Sequence, residues 1–263
     1  MAIGSYFSGF LLICASNLVS ILGLLVVRRA LREKDLISSH DVGGYLLSVV
    51  GTMYAVTVGL VVVDSMNQFE EARLMTEQES NCLADMILLS YQLPVQDRQK
   101  IQDLTLKYID EVIKDEWPAM NAGRHSLKAR RAAISLIGEV SGFAPKSEKD
   151  IVIYDALVDL TCRFWDSRRT RTLAAMQGVP TLEWFVLISG GIITVVFTYF
   201  FKLKHLRVQA FMTALVSTTI AINLYLVLMF GYPYSGQNRI DYTSFEVIKT
   251  IIEHHTETMD ALR

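Results

Sequence analysis

The chain has 263 residues, 51% of them hydrophobic, with 25 Lys and Arg against 27 Asp and Glu for a formal net charge of −2. That overall charge averages two unlike parts of the chain and implies nothing about partners; no nucleic-acid partner is expected. The three cysteines form no CxxC or Cys/His pattern of the kind that holds zinc.

Four stretches contain no charged residue: 2–27, 42–63, 184–201 and 208–230. A hydrocarbon core of ~30 Å takes about 20 apolar residues as a helix, and every backbone group inside it must be paired within its segment. Each stretch is therefore predicted to be a transmembrane helix, and the chain to be an all-α integral membrane protein. The expected domains are a first transmembrane hairpin (1–63), a soluble helical insert (64–183), a second hairpin (184–230) and a C-terminal amphipathic helix (231–263).

The short loops carry the orientation signal. Arg28, Arg29, Arg32 and Lys34 follow span one, and Lys202, Lys204 and Arg207 precede span four. Short-loop Lys and Arg favour the cytoplasm. The N-terminus, the insert and the C-terminus are then expected outside, across a bacterial inner membrane. Span one reads as an uncleaved anchor, because no basic n-region precedes it. Cys82 and Cys162 both lie in the insert. An exported insert would permit a disulfide, although two separate helical thiols are the simpler expectation.

The insert reads as helical throughout. Met66, Phe69, Leu83, Met86, Leu89 and Leu93 recur at helical spacing, with Glu70, Glu71, Arg73, Glu77 and Glu79 assigned to the polar side. No Gly or Pro separates this run from span two, so the two are predicted to be one long helix ending before Pro94. Three further helices are expected over 95–117, 124–140 and 147–176. The third carries Ile153, Leu157, Leu160 and Phe164 as an apolar stripe. Antiparallel helices of this kind make a bundle.

The run GGYLLSVVGTMYAVTVGLVVVDSMNQFEEARLMTEQESNCLADMILLSYQLP (43–94) resembles a bacterial family described as bestrophin-like. The segments RRTRTLAAMQGVPTLEWFVL (168–187) and YPYSGQNRIDYTSFEVI (232–248) fit in the expected order. A more distant resemblance is to the bestrophins, pentameric anion channels with four spans, an inserted helical domain and a pore lined by span two. The resemblance implies a homo-oligomer, a pentamer by analogy, with an anion as its ligand. Bestrophins keep the inserted domain and both termini in the cytoplasm, the reverse of what the basic loops here predict.

Chemistry is sparse. No Asp, Glu, Lys, Arg or His lies inside a span, which argues against ion-coupled transport. No catalytic motif, cofactor site or metal site is evident, and the neighbours His254 and His255 point different ways. The chain is read as a non-enzyme. On span two Gly44, Ser48, Thr52, Ala55 and Gly59 share a small face, suited either to helix packing or to a pore. Val49, Val56, Leu60 and Val63 offer an apolar face that could gate by dewetting. The pore-lining candidates are Ser48, Thr52, Val56, Gly59 and Val63.

Arg168, Arg169 and Arg171 are candidates for binding an anion or a lipid headgroup, or for pairing with acidic residues of the insert. Trp165, Trp184, Tyr199, Tyr232 and Tyr234 include candidate interfacial anchors. Phe245, Ile248, Ile252, His255, Met259 and Leu262 are spaced 3, 4, 3, 4, 3, an a/d seam for another subunit, a partner or the insert itself. Two functional readings follow. One is an oligomeric anion-permeable channel with span two lining the pore. The other is a non-conducting, membrane-anchored sensor or scaffold that binds a partner through its insert.

Overall fold

A computed structural model describes the backbone at 6–30, 40–201 and 205–261, and side chains at 6–30, 44–201 and 205–252. Among the described residues all regular structure is helical. The helices are α1 (Tyr6–Ala30), α2 (His40–Ser90), α3 (Val95–Glu111), α4 (Trp117–Asn121), α5 (Leu127–Ser141), α6 (Glu148–Gln177), α7 (Thr181–Tyr199), α8 (Leu206–Phe230) and α9 (Thr243–Ala261). Four of them are long and apolar enough to cross a membrane: α1, α2, α7 and α8. Arg32, Lys34, Lys202, Lys204 and Leu262, together with the side chains of His255 and Met259, lie outside the described residues.

The chain divides into two compact units. A membrane unit comprises Met1–Phe69, Val179–Tyr232 and Gly236–Asn238, and a helical unit comprises Glu70–Gly178, Pro233–Ser235 and Arg239–Arg263. Helix α2 is continuous for 51 residues and contributes to both. Its continuity follows from the absence of a breaker between Gly59 and Pro94.

In the membrane unit the close backbone approaches are among α1, α7 and α8. Lipid tails are as apolar as Leu, so packing and interhelical hydrogen bonds must hold such helices together. A polar seam serves α1 and α8. Ser217 Oγ lies 2.8 Å from Ser16 Oγ and accepts from Ser20 Oγ at 2.9 Å, while Asn17 Nδ2 donates to Thr218 Oγ1 at 2.8 Å. At the end of α1, Arg28 donates to Gln209 Oε1 in the first turn of α8 at 3.0 Å. Gly9 and Gly23 leave room for the rings of Tyr225 and Tyr199; a Cβ at either would come within 2.6 Å of its tyrosine.

In the helical unit the core is built from Leu83, Met86 and Ile87 of α2, Ile101, Tyr108 and Ile109 of α3, Ala133 and Leu136 of α5, and Leu157 and Phe164 of α6. Burying each large apolar side chain contributes roughly 1.5–3 kcal/mol. Local chemistry sets the helix ends. Pro94 precedes α3 and Pro180 precedes α7. Ser147 and Asp150 close a capping box on α6, and Gly178 ends that helix with φ of 52°. Between α3 and α4 the chain widens into a π-helical turn, Val112–Glu116. Pro118 explains it. Proline has no N–H for the carbonyl four residues back and its ring crowds that carbonyl. The neighbouring Trp117 N–H bonds instead to Val112 O.

Candidate functional site

Helix α2 has two unlike faces in the membrane unit. One is packed: Val58 is buried, Val61 and Val62 are half-buried beside it, and Tyr54 reaches α7. The Tyr54 hydroxyl donates to Leu187 O at 3.0 Å, and its ring lies where a Cβ on Gly190 would be, 2.5 Å from Tyr54 Cδ2. The opposite face is uncovered within a single chain. Ser48, Thr52, Val56, Gly59 and Val63 are all exposed on it, with Val56 at 59% and Val63 at 55%. Ser48, Thr52 and Gly59 are therefore not used for packing inside the subunit. A Cβ at Gly51 or Gly59 would meet nothing within 4 Å. Thr52 Oγ1 donates to Ser48 O at 2.8 Å, so its hydroxyl is satisfied by its own helix and the face it presents is mainly methyl.

In the helical unit Glu70, Glu71, Glu77 and Asp85 are exposed along α2. Arg73 is the sole basic residue in that stretch, and it pairs with Glu77 at 3.2 Å and Glu70 at 4.0 Å.

The arginines do not form an open anion site. Arg171 is fully buried, with Nε 2.6 Å from Glu79 Oε2, Nη2 3.0 Å from Glu79 Oε1 and Nη2 2.7 Å from Glu116 Oε2. Arg168, also buried, donates to Glu116 Oε1. Two cations and two carboxylates thus neutralise one another inside the bundle. The anion or lipid-headgroup reading is corrected for Arg168 and Arg171: desolvated arginines are retained only with paired charges, and these have them. Arg169 alone of the three is exposed.

Tyr108 donates to Glu79, and burial, followed by the Glu79 charge, pushes its hydroxyl well above the ordinary tyrosine range. Burial alone would lower the Arg171 pKa, but Glu79 and Glu116 outweigh it and hold the guanidinium firmly charged. The Arg171 guanidinium also lies 5.0 Å from the Trp117 ring and 5.7 Å from the Phe245 ring.

Sequence reasoning does not single out Glu79 or Glu116 as site residues; by spacing alone Glu79 reads as lying off the apolar stripe of α2. It is in phase with Thr76, Leu83 and Met86, all buried. Arg168 and Arg171 are likewise in phase with Phe164. Opposite charges in phase with apolar stripes of two helices are the signal that was available.

The C-terminal seam has an internal partner over its described half. Phe245, Ile248 and Ile252 are buried in the core of the helical unit, so they are not open to another subunit. Lys249 bonds Asp110, and this hydrogen bond holds the Asp110 carboxyl below its usual range. Tyr234 is corrected as well. It is no interfacial anchor but a buried residue of the helical unit, donating to Ala72 O at 2.9 Å and lying 3.0 Å from Thr76 Oγ1. Cys14, Cys82 and Cys162 are free thiols, with Cys82 buried and Cys162 exposed. Among the described residues no cluster of His, Cys, Asp and Glu is arranged to hold a metal ion.

The sequence model of the bestrophin-like domain matches residues 13–245. The chain belongs to the bestrophin-like family. Its fold is shared with a bacterial bestrophin homologue from Klebsiella pneumoniae. A structure of that protein phased with zinc matches with a TM-score of 0.68 at 13% identity, over 90% of this chain and 95% of that one. A variant with a single substitution matches with a TM-score of 0.69 at 13% identity, over 90% and 96%. Another variant gives 0.68 at 14% identity, over 93% and 99%. No curated protein matches the chain. At such identities the likeness carries the fold. Together with the four apolar helices it makes this an integral membrane protein of the bestrophin-like family.

Proposed function

We propose that this bestrophin-like protein forms a homo-oligomeric ion-conducting pore, a pentamer by analogy, in which the uncovered face of α2 surrounds the axis. The observation that carries the reading is the division of α2 into a packed face through Tyr54 and Val58 and an uncovered face through Ser48, Thr52, Val56, Gly59 and Val63. One subunit cannot enclose a pore with that face, so conduction requires copies around an axis. Val56 and Val63 supply an apolar constriction that gates by dewetting. No enzymatic step is part of this reading. In it the N-terminus, the helical unit and the C-terminus lie outside a bacterial inner membrane.

The ion is the finer question. The distant bestrophin resemblance implies an anion. The exposed Glu70, Glu71, Glu77 and Asp85 on α2 favour a cation, because rings of carboxylates along a conduction path raise local cation concentration and repel anions. Reversal potentials of the reconstituted protein in asymmetric salt separate the two. If the row lies on the path, Glu70→Gln with Glu77→Gln shifts selectivity toward anions. Silence of the wild type and of a widened variant removes the pore reading and leaves the membrane-anchored scaffold.

A further inference from the structure

Between Glu116 and Glu139 every charged side chain is basic: Arg124, Lys128, Arg130 and Arg131, with His125 among them. All five are exposed, as are Leu127 at 57% and Ile134 at 51% on the same outer surface of α5. Among the described residues only Lys128 of these has a counter-charge, Asp115 at 3.4 Å, and Asp115 also accepts from the helix-capping Ser126 hydroxyl. Among the described residues Arg124, Arg130 and Arg131 have no ion-pair partner. The start of α5 is therefore a basic surface of net charge about +3 with apolar side chains set into it, the composition of a segment that meets anionic lipid.

Within the helical unit the turn before α5 is held in place: Asn121 O accepts from Ser235 Oγ at 3.1 Å, and the Arg124 N–H bonds Ala119 O at 2.9 Å. In sequence Ser235 follows Phe230, the last residue of the membrane helix α8, by five residues.

We propose that Arg124, Lys128, Arg130 and Arg131, with Leu127, form a docking surface for the headgroups of anionic phospholipids in the bilayer that the protein itself spans. The guanidinium and ammonium groups recognise the phosphates, and Leu127 enters the boundary between headgroup and acyl chain. This holds whether or not the protein conducts ions.

The test uses the full chain in nanodiscs, with Leu127→Cys carrying an environment-sensitive fluorophore in a background of Cys14→Ser, Cys82→Ala and Cys162→Ser. Discs of phosphatidylcholine are compared with discs rich in phosphatidylglycerol. The expected result is a blue shift in the anionic discs alone, reversed by high salt as screening shortens to ~3 Å near 1 M. Arg124→Gln, Lys128→Gln and Arg131→Gln together should abolish it, and should lower phosphatidylglycerol retention in native mass spectra on the order of a hundredfold. Thermal melts confirm that the triple variant is folded. Equal emission in both discs overturns the proposal. So does a blue shift in both that tracks the number of protein copies per disc, which would assign the surface to a second copy.

Discussion

Arg171 and Glu79 meet in a two-point ion pair of 2.6 and 3.0 Å, with both side chains fully buried. They lie 92 residues apart in sequence, on α6 and α2, and Glu116 closes the pair from the π-helical turn at 2.7 Å. The pair explains why helices with otherwise ordinary apolar stripes settle in one register: any other leaves a desolvated charge alone.

Removing one partner should cost far more than removing both. Arg171→Met strands Glu79 and should destabilise the protein by about 3–5 kcal/mol. Arg171→Met with Glu79→Gln should recover a large part of that loss. A double-mutant cycle from thermal melts in detergent measures it, and purely additive losses would contradict the account.

Alkali should loosen the helical unit in a defined window. Burial pushes the Tyr234 hydroxyl up from 10.0 to about 12, and Tyr108 is also raised. A raised folded pKa means that the stability is fully present below the unfolded value and is lost as pH rises through the folded one. Melting temperature should therefore hold below pH 10.0 and fall between there and about 12. Tyr234→Phe should lower stability at neutral pH by about 1 kcal/mol and flatten the alkaline slope. An unchanged slope would count against this assignment.

Much of the fold was legible because it rests on length and periodicity. Spans show as charge-free runs, and α2 as one helix because no breaker interrupts it. What was not legible depends on long-range packing. Glu79 reads as one more acidic residue on a polar face until Arg171, 92 residues away, is brought against it. Tyr234 resembles an interfacial anchor because its burial depends on Ala72 and Thr76, remote in sequence. The phase of α2 could be read as small against bulky, but which face packs was decided by Gly190 and Tyr54 on different helices.

That contact gives a third expectation. Gly190→Ala places a Cβ within 2.5 Å of Tyr54 and forces the ring away, which also breaks its hydrogen bond to Leu187 O. The loss should be about 1–3 kcal/mol, as for overpacking elsewhere. Tyr54→Phe should cost only ~0.6 kcal/mol, the average for an interhelical hydrogen bond in a membrane. Tyr54→Ala should rescue part of the Gly190→Ala defect by vacating the space. Melts of Gly190→Ala, Tyr54→Phe, Tyr54→Ala and the Gly190→Ala, Tyr54→Ala double variant decide it, and equal losses for Gly190→Ala with and without Tyr54 would contradict it.

An uncovered face on α2 should also make the protein self-associate. Native mass measurement of the detergent-solubilised chain should give a single closed homo-oligomer. A clean monomer at working concentration would remove the pore reading.

The most direct test of the pore is current through reconstituted protein in a planar bilayer, wild type against Val56→Ala. Trimming a ring of apolar side chains widens the constriction and lowers the dewetting barrier, so unitary current should rise. Thr52→Asp in the same bilayer should cut anion current and shift the reversal potential toward cations. If wild type and Val56→Ala are both silent across voltage and several salts, the uncovered face of α2 does not line a pore.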